Sequence, residues 1–196
     1  AESRRGINII LREARRLTKM VEELLEFTRM EDGSAIIGKE KIELNEILAE
    51  IADELDVMPE DERMTLHADF SERVVIEGNL LLVGSIFRNL TENSMAYSGG
   101  KNIFISLVGN NDYECRIRFE DDGCGVEEQE LPRLFERFYR VDKGRSRKKG
   151  GTGLGLAIVK HAVQFHGGKI VASNRPGGGL RFDFSLGKLS VESHNA

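Results

Sequence analysis

Asn89, Asn93 and Tyr97 fall four residues apart in "RNLTENSMAYS", a spacing that lines them along one helix face. A carboxamide oxygen is a hard ligand, suited to a magnesium ion that keeps waters and phosphate oxygens around it. Capping of nearby backbone is the plainer reading; it accounts for one asparagine more readily than for two plus a tyrosine. Asp121 closes the apolar run "YECRIRFED", with Asp122, Gly123 and Gly125 after it. A carboxylate at a strand end accepts a hydrogen bond from an exocyclic amine such as adenine N6, and the glycines leave room for a purine against backbone. An ordinary Asp-Gly turn is the alternative. "GGTGLGLAIVK" sets Gly151, Gly153 and Gly155 at alternate positions where a helix begins. Glycine costs roughly 1 kcal/mol relative to alanine inside a helix. That cost is acceptable where an anion must reach the unpaired amides of a helix amino terminus. The stretch is neither a P-loop nor a dinucleotide fingerprint, because no Gly-Lys-Ser/Thr is present and Gly155 leads into Leu156-Ala157-Ile158. A flexible loop entering a helix remains the alternative. Just ahead, "LFERFYRVDKGRSRKKG" carries Arg137 and Arg140 at a helix edge and then a basic loop, with a solvated charge run as the default reading.

These residues need a scaffold, and the pattern supplies one. Leu44, Ile47, Leu48 and Ile51 mark a helix in "ELNEILAEIADEL"; "MTLHADF" and "RVVIEG" read as strands. A helix capped by Asn79 runs through "LLLVGSIFRNLTENSMAYS". Strands "NIFISLV" and "YECRIRFED" follow, joined by a Gly109–Asp112 hairpin turn. "EEQELPRLFERFYR" reads as helical, with Phe135 and Phe138 anchoring its end in the core. After the glycine stretch and its helix, "KIVASN" and "LRFDFSL" close the domain. Helices and strands interleave without regular βαβ spacing, which predicts an α+β fold: a mixed sheet with helices on one face.

Residues 1–32 differ. Ile7, Ala14 and Val21 lie seven apart, with Leu11, Leu17 and Leu24 between them and charged residues on the other faces. This predicts a heptad rod that pairs with a helix outside it, although packing on its own domain is the simpler alternative. Residues 33–41 read as linker, 42–188 as the globular domain and 189–196 as a disordered tail. The net charge of -5 gives no general case for nucleic acid. No apolar run approaches the ~20 residues that span a bilayer. Two cysteines without a CxxC pattern favour neither a disulfide framework nor a zinc site, and the setting reads as reducing and cytosolic.

The order Asn89-Leu-x-x-Asn93, Asp121-x-Gly123-x-Gly125, Phe135-x-x-Phe138, Gly151-x-Gly153-Leu-Gly155-Leu resembles the N, G1, F and G2 boxes. Those boxes define the ATP-binding domain of bacterial sensor histidine kinases, within the wider family of gyrase, mismatch-repair and chaperone ATPases. "FERFYR" favours the kinase branch, and the rod ending "LLEFTRMEDG" is similar to the second helix of the kinase dimerisation and phosphotransfer domain. The resemblance implies a two-layer α/β sandwich that binds ATP and Mg²⁺. It implies Asp121 on adenine N6, Gly123 and Gly125 around the base, Tyr97 bordering it, and Asn93 on the metal with Asn89 beside it near the phosphates. Arg137 and Arg140 are implied at the γ-phosphate. Gly151, Thr152, Gly153, Leu154, Gly155 and Leu156 are implied at the phosphates and as the hinge of a lid over the nucleotide.

It further implies a homodimer through the amino-terminal helix, a response regulator as partner, and a membrane-anchored parent with this part in the cytoplasm. Three positions depart from the pattern: Ala96 where lysine is common, Asp122 where asparagine is common, and Leu180 where a small hydroxyl residue is common. None of His67, His161, His166 and His194 sits in a phosphoacceptor pattern. The expectation is therefore a fragment that binds Mg²⁺-ATP but does not phosphorylate itself. A serine kinase of the same superfamily and a non-catalytic nucleotide-binding or dimerising module are the competing functions.

Overall fold

A computed structural model describes residues 38–141 and 151–188, together with residues 7, 11, 14, 17, 18, 21, 22, 24, 25 and 28, all ten helical. The expected basic lid loop after Val141, most of the linker and the 189–196 tail lie outside the described residues.

The chain builds β1 (Glu40–Glu43), α1 (Leu44–Asp56), β2 (Thr65–Asp69), β3 (Val75–Gly78) and α2 (Leu80–Asn93), then β4 (Asn102–Asn110) and β5 (Glu114–Asp121). It ends with α3 (Gly155–Phe165), β6 (Ile170–Asn174) and β7 (Leu180–Gly187). The main sheet has the order β2-β4-β5-β7-β6, parallel between β2 and β4 and antiparallel elsewhere. β1 and β3 form a separate antiparallel ribbon. The expected mixed sheet with helices on one face is what the chain forms.

Alternation along the strands makes the two layers. Ile103, Ile105, Ile117, Phe119, Phe182, Phe184 and Leu186 are buried on one face, in a core shared with Ile47, Ile51, Ile86, Phe87, Leu90, Ile158 and Val163 from the helices. Phe87 meets Phe184 edge-on at 5.9 Å, and Phe135 meets Phe182 at 6.2 Å. The other sheet face is polar. There Arg118 pairs with Asp183 and Arg181 with Glu120, both at 2.8 Å and directly opposite in register.

Local chemistry sets the boundaries. The Asn79 side chain accepts from the Leu82 amide at 2.9 Å, capping α2 as its position predicts. His166 sits behind this cap. Its Nε2 accepts from the Asn79 amide at 3.1 Å and its Nδ1 donates to Ala162 O at 2.7 Å. Burial is the main cause that holds the His166 imidazole below the usual histidine value.

Four expectations need correction. Residues 40–43 form a strand where the end of the linker and the start of the first helix were expected; only Ile42 of the four is buried, too little to show as alternation. β4 runs on through Asn110, with a bulge between Leu107 and Gly109, and Asn111 makes the turn by accepting from the Tyr113 and Glu114 amides. The segment 127–140 is not one helix but a 3₁₀ helix, Glu128–Arg133, followed by turns. Pro132 removes an amide there and cannot continue an α-helix. Phe135 packs against the core as expected, but Phe138 is 55% exposed with φ +63°.

Candidate functional site

Asp121 is the last residue of β5 and only 1% exposed. Its Oδ1 accepts from the Gly123 amide at 3.0 Å and the Leu180 amide at 3.2 Å; its Oδ2 accepts from the Ser94 hydroxyl at 3.0 Å. Two donors fill Oδ1, whereas Oδ2 keeps an acceptor position. Gly179, at φ +105°, has no room for a side chain, because a Cβ there would run into the Asp121 carbonyl. Gly123 packs on Ser98 at the end of the α2 region, and Gly125 on Asn174, whose carboxamide bridges both backbone groups of Val126.

Asp122 points the other way. It accepts from the Lys101 amide (2.7 Å), the Asn102 amide (2.8 Å) and the Asn102 carboxamide (2.7 Å). Burial pushes its carboxyl up, but these hydrogen bonds outweigh burial and hold it below the ordinary carboxylate value. Asp122 is thus a clamp on the start of β4, and its charge is satisfied away from Asp121.

The glycine stretch lies against the polar face of α2. A Cβ on Gly155 would come within 2.8 Å of Asn89 Oδ1, and one on Gly151 would overlap the Tyr97 hydroxyl. The Asn89 amide donates back to Ser85 O at 2.8 Å, leaving its oxygen toward Gly155. Asn93 lies between them on the same face, half-buried, and its carboxamide has no hydrogen-bond partner among the described residues. Tyr97 is 39% exposed, within the turn Ser94–Ser98 where α2 widens into π-helical geometry.

Gly153 (φ +80°) accepts the Phe138 amide at 2.9 Å, which ties the turn carrying Arg137 and Arg140 to the glycine stretch. Both arginines line an open cleft of about 440 Å³ with Glu130, Arg133, Glu136, Phe138, Tyr139 and Val141. Thr152 is buried, and its hydroxyl accepts the Leu154 amide at 3.2 Å. Leu154 is 1% exposed and belongs to the core, and Leu156 packs partly against it. No side chain caps α3, which leaves its first-turn amides for an outside acceptor.

Ser94 is absent from the residues singled out in the sequence. Its signal was present: Val83, Phe87, Leu90 and Ser94 fall on one stripe, and the buried stripe ends in a hydroxyl. The amide of Leu180 is absent as well, because no side-chain pattern reveals it.

A buried carboxylate with an acceptor position to spare, an uncommitted carboxamide and an uncapped helix start, on a two-layer sandwich, are features of a nucleotide-binding domain. A family model described as "Histidine kinase-, DNA gyrase B-, and HSP90-like ATPase" matches residues 78–189, and the chain belongs to that family, as a histidine-kinase-type ATP-binding catalytic domain. It is 34% identical to the sensor-like histidine kinase SenX3 of Mycolicibacterium smegmatis, over 98% of this chain and 50% of that protein. It is also 34% identical to the sensor protein kinase WalK of Staphylococcus aureus, over 92% of this chain and 44% of that one. The chain spans about half the length of the curated relatives it matches. The ATP-binding domain of PrrB from Mycobacterium tuberculosis superposes with a TM-score of 0.62 at 25% identity, covering 78% of this chain and 98% of that one. Full-length ShkA in complex with AMPPNP shares the fold, with a TM-score of 0.75 at 21% identity, covering 95% of this chain and 39% of that one.

Proposed function

We propose that this chain binds Mg²⁺-ATP and supplies the γ-phosphoryl group to a histidine elsewhere in a longer sensor kinase, for relay to a response regulator. The observation that carries this reading is the meeting of Asn89 with Gly155 and of Tyr97 with Gly151, with Asn93 between them on the helix and the next residue, Ser94, bonded to Asp121. In it, Asp121 takes the adenine amine on Oδ2, Gly123 and Gly125 let the base lie against backbone, and Tyr97 borders it. The uncapped amides at Gly155 and Leu156 hold phosphate oxygens, with Thr152, Gly153 and Leu154 shaping the approach. Asn93 is the metal ligand, supported by its uncommitted carboxamide, and Asn89 lies beside the phosphates. A magnesium ion held by Asn93 would supply positive charge beside the phosphates. Arg137 and Arg140 act by charge at the γ-phosphate.

The rod pairs with a second copy. Support comes from Ile7, Leu11, Leu17, Val21 and Leu24, each 47–61% exposed although apolar. No described helix is long and apolar enough to cross a membrane; a membrane anchor and cytoplasmic placement belong to the parent. His166 commits both ring nitrogens to backbone, which supports its role as a staple rather than a phosphoacceptor.

The test uses γ-labelled ATP and Mg²⁺. This chain alone acquires no acid-labile, base-stable label, and the longer parent kinase acquires it. Phosphohistidine on the chain alone, or none on the parent, overturns the reading.

A further inference from the structure

We infer that Ser94 is a positioning residue for recognition of the purine 6-amine, an inference that rests on the adenine reading proposed above. Ser94 is wholly buried, at the step where α2 passes into the π-helical turn Ser94–Ser98. A buried hydroxyl must find a partner, and this one donates to Asp121 Oδ2 at 3.0 Å. That choice of oxygen matters. Oδ1 is occupied by two amides, from Gly123 and Leu180. Oδ2 is the oxygen with an acceptor position to spare, and Ser94 is its one donor among the described residues.

Two consequences follow. The carboxylate is held from three separate segments, the α2 end, the Gly123 turn and β7, so its plane is fixed before a base arrives and no ordering is needed on binding. With the Ser94 proton spent on Oδ2, the pair presents an acceptor to the base, which suits an amine at purine C6 and opposes an oxygen there. Without the hydroxyl, Oδ2 loses a fixing bond at the atom the ligand uses, while the Oδ1 bonds stay intact.

Calorimetric titration of the whole chain and of Ser94→Ala with Mg²⁺-ATP and with the Mg²⁺ complex of purine riboside triphosphate, which lacks the 6-amine, separates this role from a structural one. The lost bond acts on the base only through Asp121, so an effect the size of an ordinary net hydrogen bond is expected, a loss of about three- to tenfold in ATP affinity. Binding of the analogue should be the same in both proteins. Unchanged ATP affinity in Ser94→Ala overturns the inference, and so does an equal loss with both nucleotides, which marks a packing effect. Failure of the unaltered chain to bind ATP removes the adenine reading itself, and this role with it; a variant effect measured against a chain that binds is specific to Ser94.

Discussion

Replacing Asp121 by asparagine keeps the side chain's shape and reverses one hydrogen-bonding edge. The Gly123 and Leu180 amides both donate to Oδ1, so the single oxygen of asparagine takes that position. Its amine then stands where Oδ2 was, with the Ser94 hydroxyl turned to accept from it. The edge left for the base becomes an N–H donor facing the adenine amine. A hydrogen bond to a charged group, about 1.5–3 kcal/mol, is lost, and two facing donors add an unsatisfied group at about 1–3 kcal/mol. Together this is roughly 3–5 kcal/mol, a fall in ATP affinity of about 150- to 5,000-fold. A 6-oxo purine gains a donor, so inosine triphosphate should bind Asp121→Asn better than ATP does. Calorimetry with both nucleotides reads the inversion, and urea unfolding checks that the fold persists. ATP affinity within twofold of the unaltered chain, or an equal loss for both nucleotides, refutes the assignment of Asp121 to the amine.

Two further outcomes concern the scaffold. His166 is held below its ordinary value by burial and accepts the Asn79 amide on Nε2. Below about pH 6.5, the ordinary histidine value, the unfolded chain takes up the proton first. Stability is therefore fully present above that pH and falls as pH drops toward the lower folded value; urea midpoints across this range should decline, and His166→Gln should flatten the decline. Gly153→Ala forces a side chain into φ +80° and brings Cβ within 2.9 Å of the Phe138 backbone. It should lose at least about 1–2 kcal/mol from conformation alone and weaken ATP binding further; an unchanged urea midpoint contradicts the left-handed geometry.

Much of this was legible in residue types. The Asn79 cap, the β4–β5 hairpin and the alternation that gives the sheet one buried face all follow from local chemistry. The meeting of Asn89 and Tyr97 with the glycines was implied only by the order of the motifs and the family they resemble, not by any one spacing. What escaped was set by tertiary context. The β1 strand has one buried residue and is held by β3, not by its own pattern. Pro132 stood in plain view, yet the apolar spacing around it still read as α-helix. Phe138 looked like a core anchor, but its backbone serves Gly153 and its ring stays largely outside. Asp122 read only as a departure where asparagine is common, and the position of Asn102 shows it to be a clamp. Ser94 gained its meaning from Asp121, 27 residues away.

The central claim is that a triphosphate docks where the Gly151–Gly155 coil becomes helix, bridged to Asn93 by a divalent ion. Titration of ATP into the chain with and without Mg²⁺, repeated on Asn93→Ala, tests it most directly. Saturable binding that Mg²⁺ strengthens about tenfold or more, with that gain lost in Asn93→Ala, is the result expected. No binding, or an equal Mg²⁺ gain in both proteins, contradicts it.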